Sequence, residues 1–173
     1  MNLVLVGYRG TGKSVVARSL GISLGREVVS LDAEIVKVAK KPIPEIVAAH
    51  GWSHFRDLEE QVCKTCGARD GLVIDCGGGV VEREGNFEAL RANGLVFWLK
   101  AKVPTILRRI GRSAGRPSLT GTKSFTEEAE EVLARRTPLY ARIAHVEIET
   151  DGRLVSEITA DVARRFGEAQ TAG

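Results

Sequence analysis

Gly7-Tyr8-Arg9-Gly10-Thr11-Gly12-Lys13-Ser14 is the stretch from which the rest of this chain is read. It fits the spacing G-x-x-x-x-G-K-[ST], and both flanks fit with it. Asn2-Leu3-Val4-Leu5-Val6 before it is a short apolar run, and Val15 to Leu24 after it reads as helix. Glycines at these positions let the backbone turn tightly and aim successive N–H groups inward, making an anion nest. The helix start then offers unpaired N–H groups and a partial positive charge to the same anion. The loop and helix start from Gly10 to Val15, with Thr11 and Gly12 between, are therefore candidates to cradle the phosphates of a nucleoside triphosphate. In such a loop Lys13 reaches the β- and γ-phosphates, and the Ser14 hydroxyl ligates Mg²⁺. A chance glycine turn would require neither flank.

Size and composition narrow the functions open to a nucleotide-binding chain. At 173 residues it is most simply one domain spanning 1–173, large enough for a solid core. It is 43% hydrophobic and 27% charged, the ordinary balance of a globular protein. No apolar run approaches the ~18 residues of a membrane span, so no membrane partner is expected. The first strand runs straight into the glycine loop and is too short for a signal-peptide core. Three cysteines without an export signal point to a reducing, cytoplasmic compartment rather than a disulfide framework. The net charge of +3 is modest, and no aromatic–basic module suggests nucleic-acid binding. The chain is expected to act as a monomer.

Strand-like apolar runs recur at residues 3–6, 28–31, 72–76, 95–99 and 145–148. The first four are nearly continuous, as expected of parallel strands covered on both faces. Helical segments alternate with them at 13–24, 33–40, 44–50, 57–68, 87–92, 104–112, 126–136 and 154–166. The alternation predicts an α/β domain with a five-stranded, mainly parallel sheet, whose ligands sit beyond the carboxyl ends of the strands. Residues 33–68 hold more helix than one crossover needs and form an excursion. Residues 111–121, Gly-Arg-Ser-Ala-Gly-Arg-Pro-Ser-Leu-Thr-Gly, carry glycine hinges and arginines without periodicity. Beside a phosphate loop they suit a lid that closes over phosphates; the plainer reading is a solvated basic loop. The tail from Gly167 to Gly173 is small and polar and is expected to fray.

Several groups at these strand ends suit an acceptor. Asp32, in Ser30-Leu31-Asp32-Ala33-Glu34, closes the second run, where a carboxylate would orient an acceptor hydroxyl and take its proton. It is equally suited to cap the next helix. Arg56, in His54-Phe55-Arg56-Asp57-Leu58-Glu59-Glu60, is able to fork onto a substrate carboxylate, or to pair with Glu59 or Glu60 along its helix. Gly77, Gly78 and Gly79 end the third run. Three glycines cost conformational entropy, so close approach of a ligand to bare backbone explains them better than a turn. In Arg135-Arg136-Thr137-Pro138-Leu139-Tyr140 the arginines either complement a helix end or reach a substrate carboxylate.

Taken in order, the glycine loop, the strand-end aspartate, Phe55-Arg56 with Glu59 or Glu60, the triple glycine, Arg116-Pro117 and Arg136-x-x-Leu139-Tyr140 resemble the shikimate kinase family over nearly the whole chain. The resemblance implies a P-loop three-layer sandwich of the nucleoside-monophosphate-kinase-like type, with 33–68 as the substrate-binding excursion and 111–124 as the lid. It implies transfer of the γ-phosphoryl of Mg-ATP to the 3-hydroxyl of shikimate, on the route to chorismate and aromatic amino acids. By the same resemblance Asp32 holds the shikimate hydroxyls and is the candidate base, Arg56 and Arg136 bind the carboxylate, and the Gly78 backbone touches the ring. Lys13 and Arg116 stabilise the transferring phosphoryl group, and Arg109 lies against the adenine.

One departure stands out. Many family members read Asp-x-Asp where this chain has Ser30-Leu31-Asp32, and the aspartate missing at Ser30 is associated with water-mediated Mg²⁺ binding. Asp75, just before the triple glycine, is expected to take over that outer-shell role, since Mg²⁺ keeps several waters and needs only negative charge nearby. The competing reading is a turn cap or an arginine pair. Three other functions compete with the main one. Asp75-Cys76-Gly77-Gly78 matches the loose D-x-x-G of GTPase switches, but the chain contains no N-K-x-D. A kinase of the same fold with another acceptor, gluconate or a nucleotide, is the nearer rival; two arginines suited to a carboxylate argue against a nucleotide but not against gluconate. His50-x3-His54 with Cys63-x-x-Cys66 has zinc-like residue types, but on predicted helix that spacing arises readily by chance.

Overall fold

Successive residues of a strand face opposite sides of a sheet, and the first strand shows where the two cores lie. A computed structural model describes residues 1–111 and 125–171. In β1 (Asn2–Val6), Val4 and Val6 join one buried cluster with Ile35, Phe55, Val62, Leu90 and Tyr140. Leu3 and Leu5 point the other way, to Val16, Leu20, Ile158 and Phe166. A strand apolar on both faces belongs at the centre of a covered parallel sheet. The sheet is completed by β2 (Val28–Ser30), β3 (Val73–Asp75), β4 (Gly94–Lys100) and β5 (Val146–Glu149), in the order β2-β3-β1-β4-β5. Every neighbouring pair is parallel.

Helices α1 (Lys13–Leu24) and α7 (Val155–Thr171) cover one face. Helices α2 (Leu31–Ala39), α3 (Ile43–Gly67), α4 (Glu84–Arg91) and α6 (Phe125–Ile143) supply the core of the other. Helix α5 (Val103–Gly111) packs with α6 in a small third cluster around Tyr8, Ile106 and Ala129. The three-layer α/β sandwich with a five-stranded parallel sheet is therefore as expected. Because β1 lies between β3 and β4, the chain leaves β1 at the point where strand order reverses, which is where such sheets hold ligands.

Several boundaries differ from the sequence expectation. The second strand ends at Ser30, and Asp32 lies in the first turn of α2 rather than at the strand end. The cap is Ser30, whose hydroxyl accepts from the Ala33 N–H at 3.4 Å, so the capping role weighed for Asp32 belongs to its neighbour. The two helices expected over 44–68 join into α3, with the gap reduced to a kink at Gly51 (φ 80°, ψ 171°), a backbone that glycine adopts without a Cβ penalty. Helix α6 runs through Pro138 to Ile143, because Tyr140 and Ile143 beyond the proline are fully buried and hold the chain in register. Helix α7 continues to Thr171, past the point where fraying was expected. An Arg164–Glu168 ion pair and a Thr171 hydroxyl donating to the Glu168 carbonyl tie its last turns. Of the expected lid, 111–124, Gly111 closes α5 and residues 112–124 lie outside the described residues.

Helices α3 and α4 touch backbone to backbone at Gly67. A Cβ built there would lie 2.3 Å from the Ala89 carbonyl oxygen, and a carbonyl inside a helix has little room to yield. Gly67→Ala is expected to destabilise the fold by about 1–3 kcal/mol through this overlap. Urea unfolding would measure it, and an unchanged midpoint would show that the helices part without cost.

Candidate active site

The glycine loop is shaped by backbone angles that other residues resist. Gly7, Gly10 and Gly12 have φ of 144°, 82° and 98°. A Cβ on Gly7 would meet the Leu99 carbonyl oxygen at 2.4 Å, so the loop can cross the end of β4 only as glycine. Thr11 braces the turn from inside, its hydroxyl donating to the Tyr8 carbonyl at 2.8 Å. Gly12 is the N-cap of α1 and supplies no side-chain cap, which leaves the N–H groups of the first turn for an anion. Lys13 is buried at the head of this turn, its ammonium donating to the carbonyls of Gly7 at 2.7 Å and Tyr8 at 3.0 Å. Burial lowers its pKa, and attraction to Asp75 and Asp32 opposes that shift. Ser14, next along, is exposed.

Beside the loop opens a cavity of about 540 Å³, lined on one side by Gly10 to Val16 and on the other by Arg109, Arg153, Leu154, Val155 and Ile158. Arg109 reaches it from α5 and ties the loop to β5. Its guanidinium donates to the carbonyls of Gly10 and Thr11 at 3.3 Å, and to the Thr150 hydroxyl and carbonyl at 3.0 and 2.9 Å. Arg153, Leu154 and Val155 were not singled out from the sequence. Their signal is faint: Leu154 is 68% exposed and Val155 39%, two apolar side chains at the cavity edge that no core claims. Leu154 is held there because Glu157 reaches back to its N–H at 2.7 Å, one half of a capping box.

The second half of the site gathers on the triple glycine. A Cβ on Gly77 would lie 2.7 Å from Asp32 Oδ1, and one on Gly79 only 2.1 Å from Arg56 Nη2. A Cβ on Gly78 would stand 3.5 Å from the Arg9 backbone nitrogen and 3.7 Å from Arg136 Nη1. The structure thus brings Asp32, Arg56, Arg136 and the glycine loop together over one piece of bare backbone. Tyr140 fixes that backbone by donating its phenol to the Gly78 carbonyl, while its ring stacks on Trp98 at 5.6 Å.

Each arginine there has a carboxylate partner. Arg56 donates to Glu59 at 2.6 Å within α3, and Glu59 is 1% exposed. Glu60, the other partner considered, pairs instead with Lys64 and Arg83. Burial raises the Glu59 carboxyl, with Arg56 pulling against it. Arg136 donates through Nε to Glu82 at 2.7 Å, and Arg135 reaches the same oxygen at 2.9 Å. Burial would raise the Glu82 carboxyl, but the two arginines outweigh it and hold it below its ordinary value. Since α6 continues past Arg136 to Ile143, these arginines do not complement a helix end. Glu82, on the turn after the triple glycine, is a partner of both arginines that no local sequence signal marks.

Asp75 ends β3 in register with Ser30 of β2 and Leu5 of β1, and is 8% exposed. Arg116 lies outside the described residues. His50 and His54 face one another on exposed turns of α3, with ring centroids 4.9 Å apart. Cys63, Cys66 and Cys76 are free thiols buried in the core. Burial raises all three thiols, which leaves them protonated. Among the described residues no three of His, Cys, Asp or Glu come together as a ligand cluster.

Likeness to known proteins extends over almost the whole chain. The family model of shikimate kinases matches residues 9–166. A shikimate kinase of Symbiobacterium thermophilum is 40% identical over 171 residues, covering 97% of each chain. One from Chlorobium chlorochromatii is 38% identical, covering 95% of this chain and 90% of its own. Among solved structures, the shikimate kinase of Acinetobacter baumannii in complex with shikimate superposes with a TM-score of 0.89 at 32% identity, over 97% of this chain and 93% of that one. A gluconokinase of Sinorhizobium meliloti shares the fold alone, with a TM-score of 0.62 at 14% identity over 99% of this chain and 97% of its own. A nucleotide-type glycine loop, a second half-site built on bare glycine backbone and these likenesses agree: the chain belongs to the shikimate kinase family.

Proposed function

We infer that the two halves of the site divide the work of an ATP-dependent shikimate kinase, the glycine loop and its cavity holding ATP and the triple-glycine floor holding shikimate. The observation that carries this reading is the convergence of Asp32, Arg56 and Arg136 on Gly77–Gly79, with the loop bearing Lys13 directly alongside. Two guanidinium groups beside a glycine floor suit a ring acid, whose carboxylate they fork while the ring lies on the backbone. Asp32 belongs at the opposite end of such a ring, where it orients the 3-hydroxyl and accepts its proton. Lys13 contributes charge to the β- and γ-phosphates, and Arg116 is assigned the same task on the transferring group by family likeness. Arg109, with Leu154 and Val155, forms the walls for the base. The whole chain works as one kinase domain, with residues 33–68 as its acceptor arm and 111–124 as its lid.

The donor chemistry suits Mg²⁺. The exposed Ser14 hydroxyl and the carboxylates of Asp75 and Asp32 near Lys13 are hard oxygen ligands or acceptors for its water shell. When bound, Mg²⁺ would neutralise charge on the phosphate oxygens. A monomer in the cytoplasm is consistent with a site drawn from one chain and with three free cysteines. No helix among the described residues is long and apolar enough to cross a membrane.

An acceptor panel with ATP consumption as readout tests the reading: shikimate should be phosphorylated and gluconate should not, and turnover of gluconate alone would replace the acceptor. Arg136→Ala removes one charge-assisted contact and should raise KM for shikimate by one to two decades, equivalent to roughly 1.5–3 kcal/mol, with far less effect on KM for ATP. Gly79→Ala should also raise KM for shikimate far more than KM for ATP, because the atoms its methyl would strike are the guanidinium end of Arg56. Equal damage to both substrates would assign these residues a structural role. Leu154→Asp should weaken ATP binding about three- to tenfold, as the base loses apolar cover, and leave shikimate binding intact. Calorimetric titration of each ligand reads this directly, and unchanged ATP affinity would take Leu154 out of the base site.

A further inference from the structure

Asp75 is a buried charge that the transfer reaction does not consume. It ends β3 at 8% exposure. A carboxylate this little exposed calls for positive charge near it. The cation within its influence is Lys13, on whose ammonium Asp75 exerts the largest single attraction. Its neighbours in register are Leu5, which leads into the glycine loop, and Ser30, whose hydroxyl caps α2. Asp75 thus stands beneath the phosphate loop, on the side of Lys13.

We propose that Asp75 holds the water shell of the nucleotide's Mg²⁺ and makes nucleotide binding depend on the metal. Phosphates arriving without the cation meet a carboxylate that repels them and that competes for Lys13. With Mg²⁺ the same carboxylate finds a second positive partner, reached through one water because this ion dehydrates reluctantly. Lys13 is then released to serve the phosphates while Asp75 remains neutralised. The charge, more than its exact strand, is what the device needs: adjacent strands lie about 4.8 Å apart, so residue 30 offers an equivalent place one strand over.

The inference rests on reading the loop as the Mg-ATP site, and the test keeps the two apart by using neither shikimate nor turnover. Binding of the β,γ-imido analogue of ATP is measured by calorimetry with and without Mg²⁺. Metal-assisted binding by the unaltered protein checks the site itself. In Asp75→Asn the gain in analogue affinity from Mg²⁺ should shrink by roughly tenfold, with metal-free binding unchanged or tighter. Adding Ser30→Asp should restore most of the gain, and aspartate keeps the cap because it is as good an N-cap as serine. Asp75→Ser repeats the measurement if the asparagine variant proves unstable. An undiminished gain overturns the proposal. Equal weakening with and without metal would overturn it too, by showing that Asp75 only positions the loop, and failure of Ser30→Asp to restore the gain would refute the exchange between strands.

Discussion

The arrangement of the second half of the site depends on the missing side chains of Gly77, Gly78 and Gly79. A Cβ on Gly77 would strike Asp32 from α2 and one on Gly79 would strike Arg56 from α3, while one on Gly78 would stand in ordinary contact with the glycine loop and with Arg136 from α6. Bare backbone at Gly77 and Gly79 is what lets the ends of Asp32 and Arg56 come in this close. The entropy that three glycines lose on folding is offset by what they admit. Tyr140 then removes the freedom that remains, holding the Gly78 carbonyl from one side while Trp98 supports its ring.

Electrostatics organises the same region. Cations of the site are matched by carboxylates at different levels of burial: Arg56 by Glu59 and Arg136 by Glu82 at the floor, and Lys13 in the glycine loop by the attraction of Asp75 and Asp32. The pairs hold both arginines in fixed orientations. The acids nevertheless end shifted in opposite directions. Glu59 is so deeply buried that desolvation outweighs its arginine, whereas two arginines acting on the shallower Glu82 prevail over burial.

The sheet explains why both halves face one another. In β1, alternate residues feed the two cores, so the strand is locked at the centre and its carboxyl end delivers the glycine loop at the reversal of strand order. Helix α1 and the triple glycine then flank a single point, one aiming N–H groups and the other offering bare backbone. Arg109 and Thr150 extend this frame to β5, which places the apolar pair Leu154 and Val155 across the cavity from the loop.

Much of this was legible in the chain itself, for local physical reasons. A glycine loop between an apolar run and a helix, nearly continuous apolar strands and a triple glycine each carry their meaning in consecutive residues. Helix α1 and the five strands accordingly lie close to where periodicity put them. Tertiary structure decided the rest. Whether Pro138 ends a helix depends on the burial of Tyr140 and Ile143 beyond it, and whether Ser30 or Asp32 caps α2 depends on where β2 leaves the sheet. Which glutamate holds Arg56, why Glu82 lies beside Arg136, and how Leu154 comes to line a cavity with the glycine loop are matters of long-range packing. Residue types alone determine which charges and apolar groups need partners; only the fold, by setting distance and burial, determines which partners they find.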